Sequence, residues 1–499
     1  MGTHKKITIN AASSVIQVLF TAILYFLLYK YLLDKLGIKL LGVWSLILSF
    51  SSIANLANIG ITSGLVKFVA ESILEKDNSK LGKLIFTSLI SIVVFFGLIS
   101  IIVFFSANFF LKFVIEKDFL NVALKILPFS LATLCINAIG GIFTSVLEGH
   151  QKNYLRNFIY IISGVILIVT TLILTPSFNI VGVAIAQLIQ AFCVLILSII
   201  FTLKINRNSY FSFWKWSKNS FKELFSYGYK FQIVSISQLL YEPTTKILLS
   251  KYGGLGILGN YEMASRLVNQ VRALIVNANQ VVIPIIAEKS KNNLENDLIV
   301  FFKKMNKILF FIVLPLFSIV IAFTPLISLI WIGKIEINFL FSVYILSIAS
   351  IVNIMCGPSY FSCLGEGKLD ILVIAHVTMA ILNVILSFIF GLVFNGYGII
   401  LGWGITLLLG SLYLIIAYSK KLKINYWKIF DKNDIVLIFA SGFISLASIL
   451  LFSKNIDFIG LNLKIIIICL FIICCLPIIL KNETFKYILS ILKNKQHEN

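Results

Sequence analysis

The sequence predicts an all-α polytopic membrane protein with about fourteen transmembrane helices. Its 499 residues are 59% hydrophobic and only 13% charged, with a mean hydropathy of +0.99. Soluble domains contain roughly 45–50% apolar and about 25% charged residues. Apolar runs of about 20 residues, the length that crosses a bilayer, follow one another along the chain. Sequence motifs also recur about 217 residues apart, which predicts two parallel six-helix repeats followed by two C-terminal helices.

The connections between the predicted spans are short, and none is long enough to form a folded domain outside the membrane. The predicted spans cover residues 8–29, 41–66, 84–108, 122–147, 157–175, 180–203, 226–249, 258–286, 306–331, 338–364, 370–393, 397–419, 434–453 and 461–480.

The net charge of +21 is explained by membrane topology and does not indicate nucleic-acid binding. Most Lys and Arg residues fall in connections on the same side as the N-terminus, so the positive-inside rule places both termini in the cytoplasm. The first span lacks a small-residue cleavage site, and we expect it to be retained. The two richest basic clusters are Lys204, Arg207, Lys215, Lys218 and Lys222, and Lys420, Lys421, Lys423, Lys428 and Lys432.

Several short motifs occur twice in the same order. An even number of spans per unit gives both repeats the same orientation in the membrane, with a cavity expected where they meet. The domains are predicted to be an N-terminal lobe at 1–220, a C-terminal lobe at 221–430, a helix pair at 431–482 and a cytoplasmic tail at 483–499. The paired motifs are Leu36-Gly37 with Tyr252-Gly253, Glu148-Gly149 with Glu366-Gly367, and Phe178-Asn179-x-x-Gly182 with Phe394-Asn395-x-x-Gly398.

Charged residues inside the seventh and eighth spans predict a polar cavity. An ionisable side chain at the centre of a membrane helix costs at least about 2.5–3.5 kcal/mol. Glu242 and Lys246 lie on successive turns of one helix, and Glu262 and Arg266 share the polar side of the next. Small polar residues that only join helices are the alternative interpretation for the uncharged positions. The predicted cavity residues are Gln17, Asn55, Asn58, Gln238, Glu242, Lys246, Arg266, Gln270, Arg272 and Asn277.

The charges of this cavity favour an anionic ligand, because guanidinium and ammonium groups bind phosphate oxygens. Glu242 has two interpretations that stay open: it neutralises Lys246, or it carries a proton that couples transport to a gradient. We predict no catalytic residues, no metal site and no cofactor, since the four histidines are scattered and no Cys/His cluster or phosphate-binding glycine loop occurs. Coupling to a proton gradient or to a sodium gradient remains open.

Two segments carry a resemblance to a known family. Tyr241-Glu242-Pro243-Thr244-Thr245-Lys246 and Tyr261-Glu262-Met263-Ala264-x-Arg266 resemble the helix 7 and 8 signature of bacterial polysaccharide repeat-unit (O-antigen type) flippases. These belong to the multidrug, oligosaccharidyl-lipid and polysaccharide exporter superfamily. The resemblance implies two six-helix bundles in a V, a cavity lined by helices 1, 2, 7 and 8, and a lipid-tail groove bordered by helices 13 and 14.

It also implies a function and partners. The protein would move an undecaprenyl-pyrophosphate-linked oligosaccharide from the inner to the outer leaflet of the bacterial cytoplasmic membrane by alternating access, for O-antigen, capsule or other surface polysaccharide. Expected partners are this lipid-linked oligosaccharide, membrane lipids, a polysaccharide polymerase and chain-length machinery. The chain departs from peptidoglycan-precursor flippases because its first two helices carry mostly uncharged polar faces.

Two other functions are weighed. A cation-coupled multidrug exporter of the same superfamily would typically lack helices 13 and 14 and favour an acidic cavity. A membrane polysaccharide polymerase or ligase would usually carry a large extracytoplasmic loop, whereas the connections here are short. We therefore predict a transporter, not an enzyme.

Overall fold

The computed structural model describes residues 3–54, 61–205, 215–279, 286, 295–367, 369–452 and a few isolated positions between 460 and 470. These residues are helical throughout apart from short turns, which confirms the predicted all-α class. Eight helices among them are long and apolar enough to cross a membrane. Asn55, Asn58, most of the predicted span at 461–480 and the predicted tail at 483–499 lie outside the described residues.

The first five helices follow the predicted spans with one exception. The predicted span at 41–66 is not described as one helix, because α2 ends at Ser51 and α3 begins at Ile61. Gly37 separates α1 from α2 with a φ of 79°, a value that favours glycine. The bounds are α1 Thr3–Leu36, α2 Ile38–Ser51, α3 Ile61–Glu75, α4 Asn78–Leu111 and α5 Lys117–Gly149.

Helix α6 (Asn153–Ile205) contains two of the predicted spans. Its 53 residues would extend about 80 Å at 1.5 Å per residue, more than twice the thickness of the hydrocarbon core. The helix is broken at Asn179, where φ is 49° and ψ is −136°. The break separates the predicted spans at 157–175 and 180–203.

The next stretch is interrupted where the sequence predicts one continuous span at 226–249. Helix α7 (Lys218–Leu239) ends before a turn, and α8 (Glu242–Leu248) starts directly after it. Pro243 lies in the first turn of α8, where its missing N–H does not break a helical hydrogen bond. A π-helix (Leu249–Gly253) then leads into α9 (Gly254–Asn279).

One later predicted span is also broken beside a proline, whereas the helix Glu295–Ile332 continues through Pro315 and Pro325. The predicted span at 338–364 divides at Cys356, two residues before Pro358 in the first turn of the following helix. The bounds are α10 Glu295–Ile332, α11 Ile337–Met355, α12 Gly357–Gly365, α13 Asp370–Lys421, a 3-10 helix Tyr426–Ile429 and α14 Lys432–Leu451.

The sequence repeat has a direct structural counterpart in α6 and α13. Asn395 breaks α13 with a φ of 52° and a ψ of −136°, nearly the dihedral angles of Asn179 in α6. A side chain on Gly182 would collide with the carbonyl of Leu174, and one on Gly398 with the carbonyl of Phe390. The Phe-Asn-x-x-Gly motif therefore encodes the same tight turn between two helices in both repeats.

The structure corrects one detail of the repeat alignment. Gly37 (φ 79°, ψ 167°) shares its conformation with Gly254 (φ 77°, ψ 166°), not with Gly253. The π-helix before Gly254 holds the additional residue, as single-turn π-bulges commonly do. The repeat distance at this point is therefore one residue longer than the motif comparison indicates.

Contacts group the chain into two compact units. The first unit contains Met1–Arg266 and His376–Trp403, and the second contains Leu267–Ala375 and Gly404–Asn499. Their boundaries fall inside α9 and α13. The predicted division into lobes at 220 and 430 stays a prediction, as does the count of fourteen spans.

The second unit includes the first of the two predicted C-terminal helices. Helix α14 packs on α10, where buried Ala322 contacts Ile444. The Ser448 hydroxyl donates a 2.7 Å hydrogen bond to the carbonyl oxygen of Ala322 inside this contact. Because both partners are buried, this bond fixes the position of α14 along α10.

Candidate functional site

Glu262 of α9 lies at the centre of a buried ionic cluster in the first unit. Its side chain is only 1% exposed. One oxygen, Oε1, accepts hydrogen bonds from Arg266 Nε at 2.8 Å and from the Tyr29 hydroxyl at 2.9 Å. The other, Oε2, lies 2.8 Å from Lys246 Nζ and accepts a 2.6 Å hydrogen bond from Ser45 Oγ. The cluster therefore joins α1, α2, α8 and α9.

Lys246 bridges two carboxylates. Its side chain is 4% exposed, and its ammonium group lies 2.6 Å from Glu242 Oε1 as well as next to Glu262. Glu242 is 55% exposed, so one of the two carboxylates beside Lys246 is exposed and the other, Glu262, is buried. The predicted contact between Glu242 and Lys246 on successive turns is present, and a second carboxylate completes the lysine's environment.

Arg266 forms the other cationic side of the cluster. Its guanidinium lies 5.2 Å from the ring centroid of Tyr25 and 5.8 Å from that of Tyr29, both on α1. These distances are typical of cation–π contacts. A third of the Arg266 side chain, 32%, remains exposed. Arg266 is therefore held by Glu262 and two aromatic rings, yet is still reachable from one side.

The formal charges within this cluster cancel. Lys246 and Arg266 contribute two positive charges, and Glu242 and Glu262 contribute two negative ones. Buried ions are tolerated when they are paired and their remaining hydrogen-bonding positions are filled. Ser45 and Tyr29 fill those positions on Glu262. In this arrangement the predicted anion-binding cations are occupied by carboxylates of the protein itself.

The cluster lies on a local two-fold axis of the repeat. Ser45 and Glu262 are 217 residues apart, so each is the repeat counterpart of the other, and they bind directly. A contact between equivalent positions occurs only at such an axis. Ser45 lies about 10 Å along α2 from its first residue, and Glu262 lies about 12 Å along α9 from its first residue, at 1.5 Å per residue.

Two glycines allow close approach of the backbones at the same axis. A side chain at Gly42 of α2 would collide with the carbonyl of Leu255, and one at Gly259 of α9 would collide with the carbonyl of Ile38. The two contacts are reciprocal, since each pair becomes the other under the repeat. We call the contact formed by Ile38, Gly42, Leu255 and Gly259 the glycine seam.

The break between α7 and α8 has its own set of hydrogen bonds in the first unit. Buried Asn383 of α13 donates from Nδ2 to the carbonyl oxygens of Leu240 at 2.9 Å and Tyr241 at 3.1 Å. The Tyr241 hydroxyl lies 2.7 Å from Nδ1 of His376 and donates to the His376 carbonyl at 2.9 Å. The Tyr241 ring also packs on Trp403, with centroids 5.4 Å apart. Tyr241 is therefore a buried anchor of the break.

Arg272 does not share this environment. It belongs to the second unit, where its Nε donates a 2.8 Å hydrogen bond to Asn353 Oδ1. Asn353 in turn donates to Ser411 Oγ at 3.0 Å.

Polar residues near the start of α1 join helices. Asn157 of α6 is fully buried and donates to Ser13 Oγ at 2.9 Å and Ser14 Oγ at 3.0 Å. Asn10 accepts a hydrogen bond from the backbone N–H of Tyr154 at 3.1 Å. For these three α1 residues the alternative interpretation, polar contacts between helices, describes the structure better than a cavity lining.

The remaining predicted cavity residues that the structure describes are exposed or half-buried. Gln17 is half-buried and donates to the Thr21 hydroxyl at 3.0 Å on the same helix. Gln238 and Asn277 are exposed and Gln270 is half-buried. Their role in binding stays a prediction.

The sequence places Glu262 on the polar side of its helix with Arg266, four residues later, but the predicted list of cavity residues omits it. Tyr25, Tyr29 and Ser45 were not predicted at all. The two tyrosines and the serine had no signal in the sequence, because such residues are common in membrane helices and only the packing of α1 and α2 brings them to the cluster.

Comparison with known proteins gives a family and a fold. The family model described as polysaccharide biosynthesis protein matches residues 7–290, which is more than half of the chain. No curated protein sequence matches it. Among solved structures, an inward-facing multidrug resistance MATE family transporter of the MOP superfamily has a TM-score of 0.72 at 16% identity, covering 83% of this chain and 98% of that one.

Two further structures have the same fold. The lipid II flippase MurJ in an inward closed conformation has a TM-score of 0.71 at 17% identity, covering 94% of this chain and 98% of that one. A MOP superfamily transporter from Pyrococcus furiosus has a TM-score of 0.62 at 15% identity, covering 84% and 96%. The chain therefore belongs to the polysaccharide biosynthesis protein family, has helices that can span a membrane, and shares its fold with these solved structures.

Proposed function

We propose that the protein is a flippase for a polyprenyl-pyrophosphate-linked oligosaccharide repeat unit. It moves the unit from the inner to the outer leaflet of the bacterial cytoplasmic membrane, with both termini in the cytoplasm, for the synthesis of O-antigen, capsule or another surface polysaccharide. The protein would supply the lipid-linked unit to a polysaccharide polymerase. The observation that carries this proposal is the pair of cations, Lys246 and Arg266, held at the repeat axis of a polysaccharide biosynthesis family member.

Several features support a phosphate-bearing substrate. Parallel-repeat transporters bind substrate where the repeats meet, and here α1, α2, α8 and α9 meet around Arg266 and Lys246. A guanidinium binds phosphate oxygens in pairs, and Arg266 keeps a third of its side chain exposed. In the first unit, the exposed amide of Gln238 and the half-buried amide of Gln17 suit hydrogen bonding to sugar hydroxyls.

Replacement of Arg266 in cells tests the proposal. Arg266→Ala in the native host should abolish surface polysaccharide, because the diphosphate loses its accessible cation. Arg266→Lys should retain part of it, since the charge remains but the paired geometry is lost. Lys125→Ala, which removes an exposed cation from α5, is the matched control and should leave the polymer unchanged. If Arg266→Ala is present in the membrane at wild-type amounts and the cells still make normal amounts of surface polysaccharide, the proposal is contradicted.

A cation-coupled multidrug exporter is the second candidate. It is favoured by the carboxylates Glu242 and Glu262 within the cluster and by a fold as similar to a MATE transporter as to a flippase. Overexpression in a drug-sensitive strain distinguishes the two. Resistance to cationic drugs that requires Glu242 and is independent of polysaccharide synthesis would favour the exporter, and unchanged sensitivity would favour the flippase.

A further inference from the structure

Glu262 has a bonding pattern that a simple salt bridge does not require. A carboxylate has about four positions at which it accepts hydrogen bonds. Four donors occupy Glu262: the cations Lys246 and Arg266, and the hydroxyls of Tyr29 and Ser45. Both oxygens are used twice, so Glu262 is saturated, and it holds both cations of the proposed substrate site.

The four donors come from both repeats. Tyr29 and Ser45 lie on α1 and α2 of the first repeat, whereas Lys246 and Arg266 lie on α8 and α9 of the second, together with Glu262 itself. The hydroxyls thus tie Glu262 across the local axis, and the cations tie it within its own repeat. Glu262 is the one residue among those described in the cluster that contacts members on all four helices.

We infer that Glu262 is an internal counter-anion that the diphosphate of the substrate displaces, and that this exchange releases the glycine seam. The inference rests on the proposed function. When the diphosphate takes Lys246 and Arg266, the Glu262 carboxylate loses its two charged partners. The hydroxyls of Tyr29 and Ser45 alone hold an unpaired carboxylate poorly, so Glu262 moves towards water and the contact between α2 and α9 loosens.

The exchange fits the exposures of the four charged groups. Arg266 and Glu242 are partly open, at 32% and 55%, whereas Lys246 and Glu262 are enclosed. An incoming diphosphate therefore meets Arg266 first and takes the place of Glu262 beside Lys246 as Glu262 leaves. Replacing one anion by another keeps both cations paired throughout, which avoids the high cost of an isolated buried charge.

The exchange also supplies a reason for the protein to respond to its substrate. A ligand shifts a conformational equilibrium only if it binds the two states with different affinity. In the closed state Glu262 competes for the cations, and in the open state it does not. The diphosphate therefore binds the open state more tightly. An ionic cluster with a purely structural role would give no such difference.

The test uses the full-length protein with Glu262→Gln, a change that preserves shape and acceptor oxygen but removes the competing charge. Geranyl diphosphate in detergent micelles serves as the binding probe, with geranyl alcohol as the uncharged control. Glu262→Gln should bind the diphosphate about tenfold more tightly than wild type and the alcohol equally. If the wild type transports lipid-linked sugar but Glu262→Gln and wild type bind the diphosphate with equal affinity, the inference is overturned.

A distance between two spin labels measures whether the glycine seam opens. Spin labels replace Asp34, near the end of α1, and Lys251, in the π-helix, both exposed, in a background with the native cysteines changed to serine. Geranyl diphosphate should lengthen the distance in the wild-type cluster, and Glu262→Gln should show the longer distance without ligand. A distance that is the same in all these samples would contradict the release of the seam.

Two further arms keep the test decisive. If Glu262→Gln does not assemble, Glu262→Asp retains the charge with a shorter reach, and an affinity gain of about threefold is expected; no gain would count against the inference. If the wild type binds geranyl diphosphate but does not transport lipid-linked sugar, the proposed function is overturned instead. The two failures are thus distinguishable.

Discussion

At the scale of single residues, the structure shows why four charges persist inside apolar helices. Each charged group of the cluster has an opposite charge within 2.8 Å, and the central carboxylate also receives two hydroxyl donors. The sequence predicted a polar cavity around these residues and placed Glu242 and Lys246 on successive turns of one helix, where the structure has them in contact. It could not reveal Tyr29 or Ser45, because helix periodicity places a residue on a face but not against a distant helix.

Asn383 is the residue whose replacement best tests the break in the seventh predicted span. Asn383→Leu removes the donor to the carbonyls of Leu240 and Tyr241. Leaving such buried groups unsatisfied costs about 1–3 kcal/mol each, so we expect a clearly lower melting temperature in detergent. Ser387→Ala removes only one hydrogen bond to Asn383, worth about 1 kcal/mol, and should give a smaller decrease. Equal melting temperatures for Asn383→Leu and wild type would show that the break does not depend on this side chain.

At the scale of helices, equivalent positions of the two repeats have the same local backbone geometry. Asn179 and Asn395 adopt the same unusual dihedral angles, and Gly37 and Gly254 share another pair. Motif comparison located both turns, because asparagine and glycine tolerate positive φ. It misaligned the second by one residue, since a π-helix leaves no clear sequence signature. The broken helices at Cys356 and at the turn after Leu239 were hidden because hydropathy is insensitive to a single turn.

The glycine seam gives a prediction for helix packing. Gly42→Ala and Gly259→Ala each add a methyl group against a backbone carbonyl and should separate α2 from α9. Because the contacts are reciprocal, the two variants should have similar effects, each reducing stability by about 1–3 kcal/mol, as overpacking does. Melting temperature in detergent measures the change.

Gly256→Ala is the matched control, because a side chain there meets open space near the start of the same helix. We expect it to be neutral or slightly stabilising, since alanine is the better helix former. A loss for Gly256→Ala as large as that for Gly259→Ala would mean that helix propensity and not the seam determines the result.

At the scale of the whole molecule, composition and hydropathy were enough for the all-α class and the membrane location, because the bilayer restricts spanning segments to a few forms. The repeat was predicted separately, from recurring motifs. The family model and the matching folds agree with the resemblance found in the sequence. Only part of the candidate site could be predicted from the sequence. Arg272 belongs to the second unit with Asn353, and Glu262, which was placed on the polar helix face but not listed as a cavity residue, has the central position in the first.

The most direct test of the flippase function is transport in liposomes. Purified protein is reconstituted with a fluorescent polyprenyl-pyrophosphate oligosaccharide from the native host, and an impermeant quencher reports the fraction reaching the opposite leaflet. We predict transfer that requires the protein, is lost with Arg266→Ala and is retained with Lys125→Ala. Folded wild-type protein that leaves the labelled lipid in its original leaflet would contradict the account.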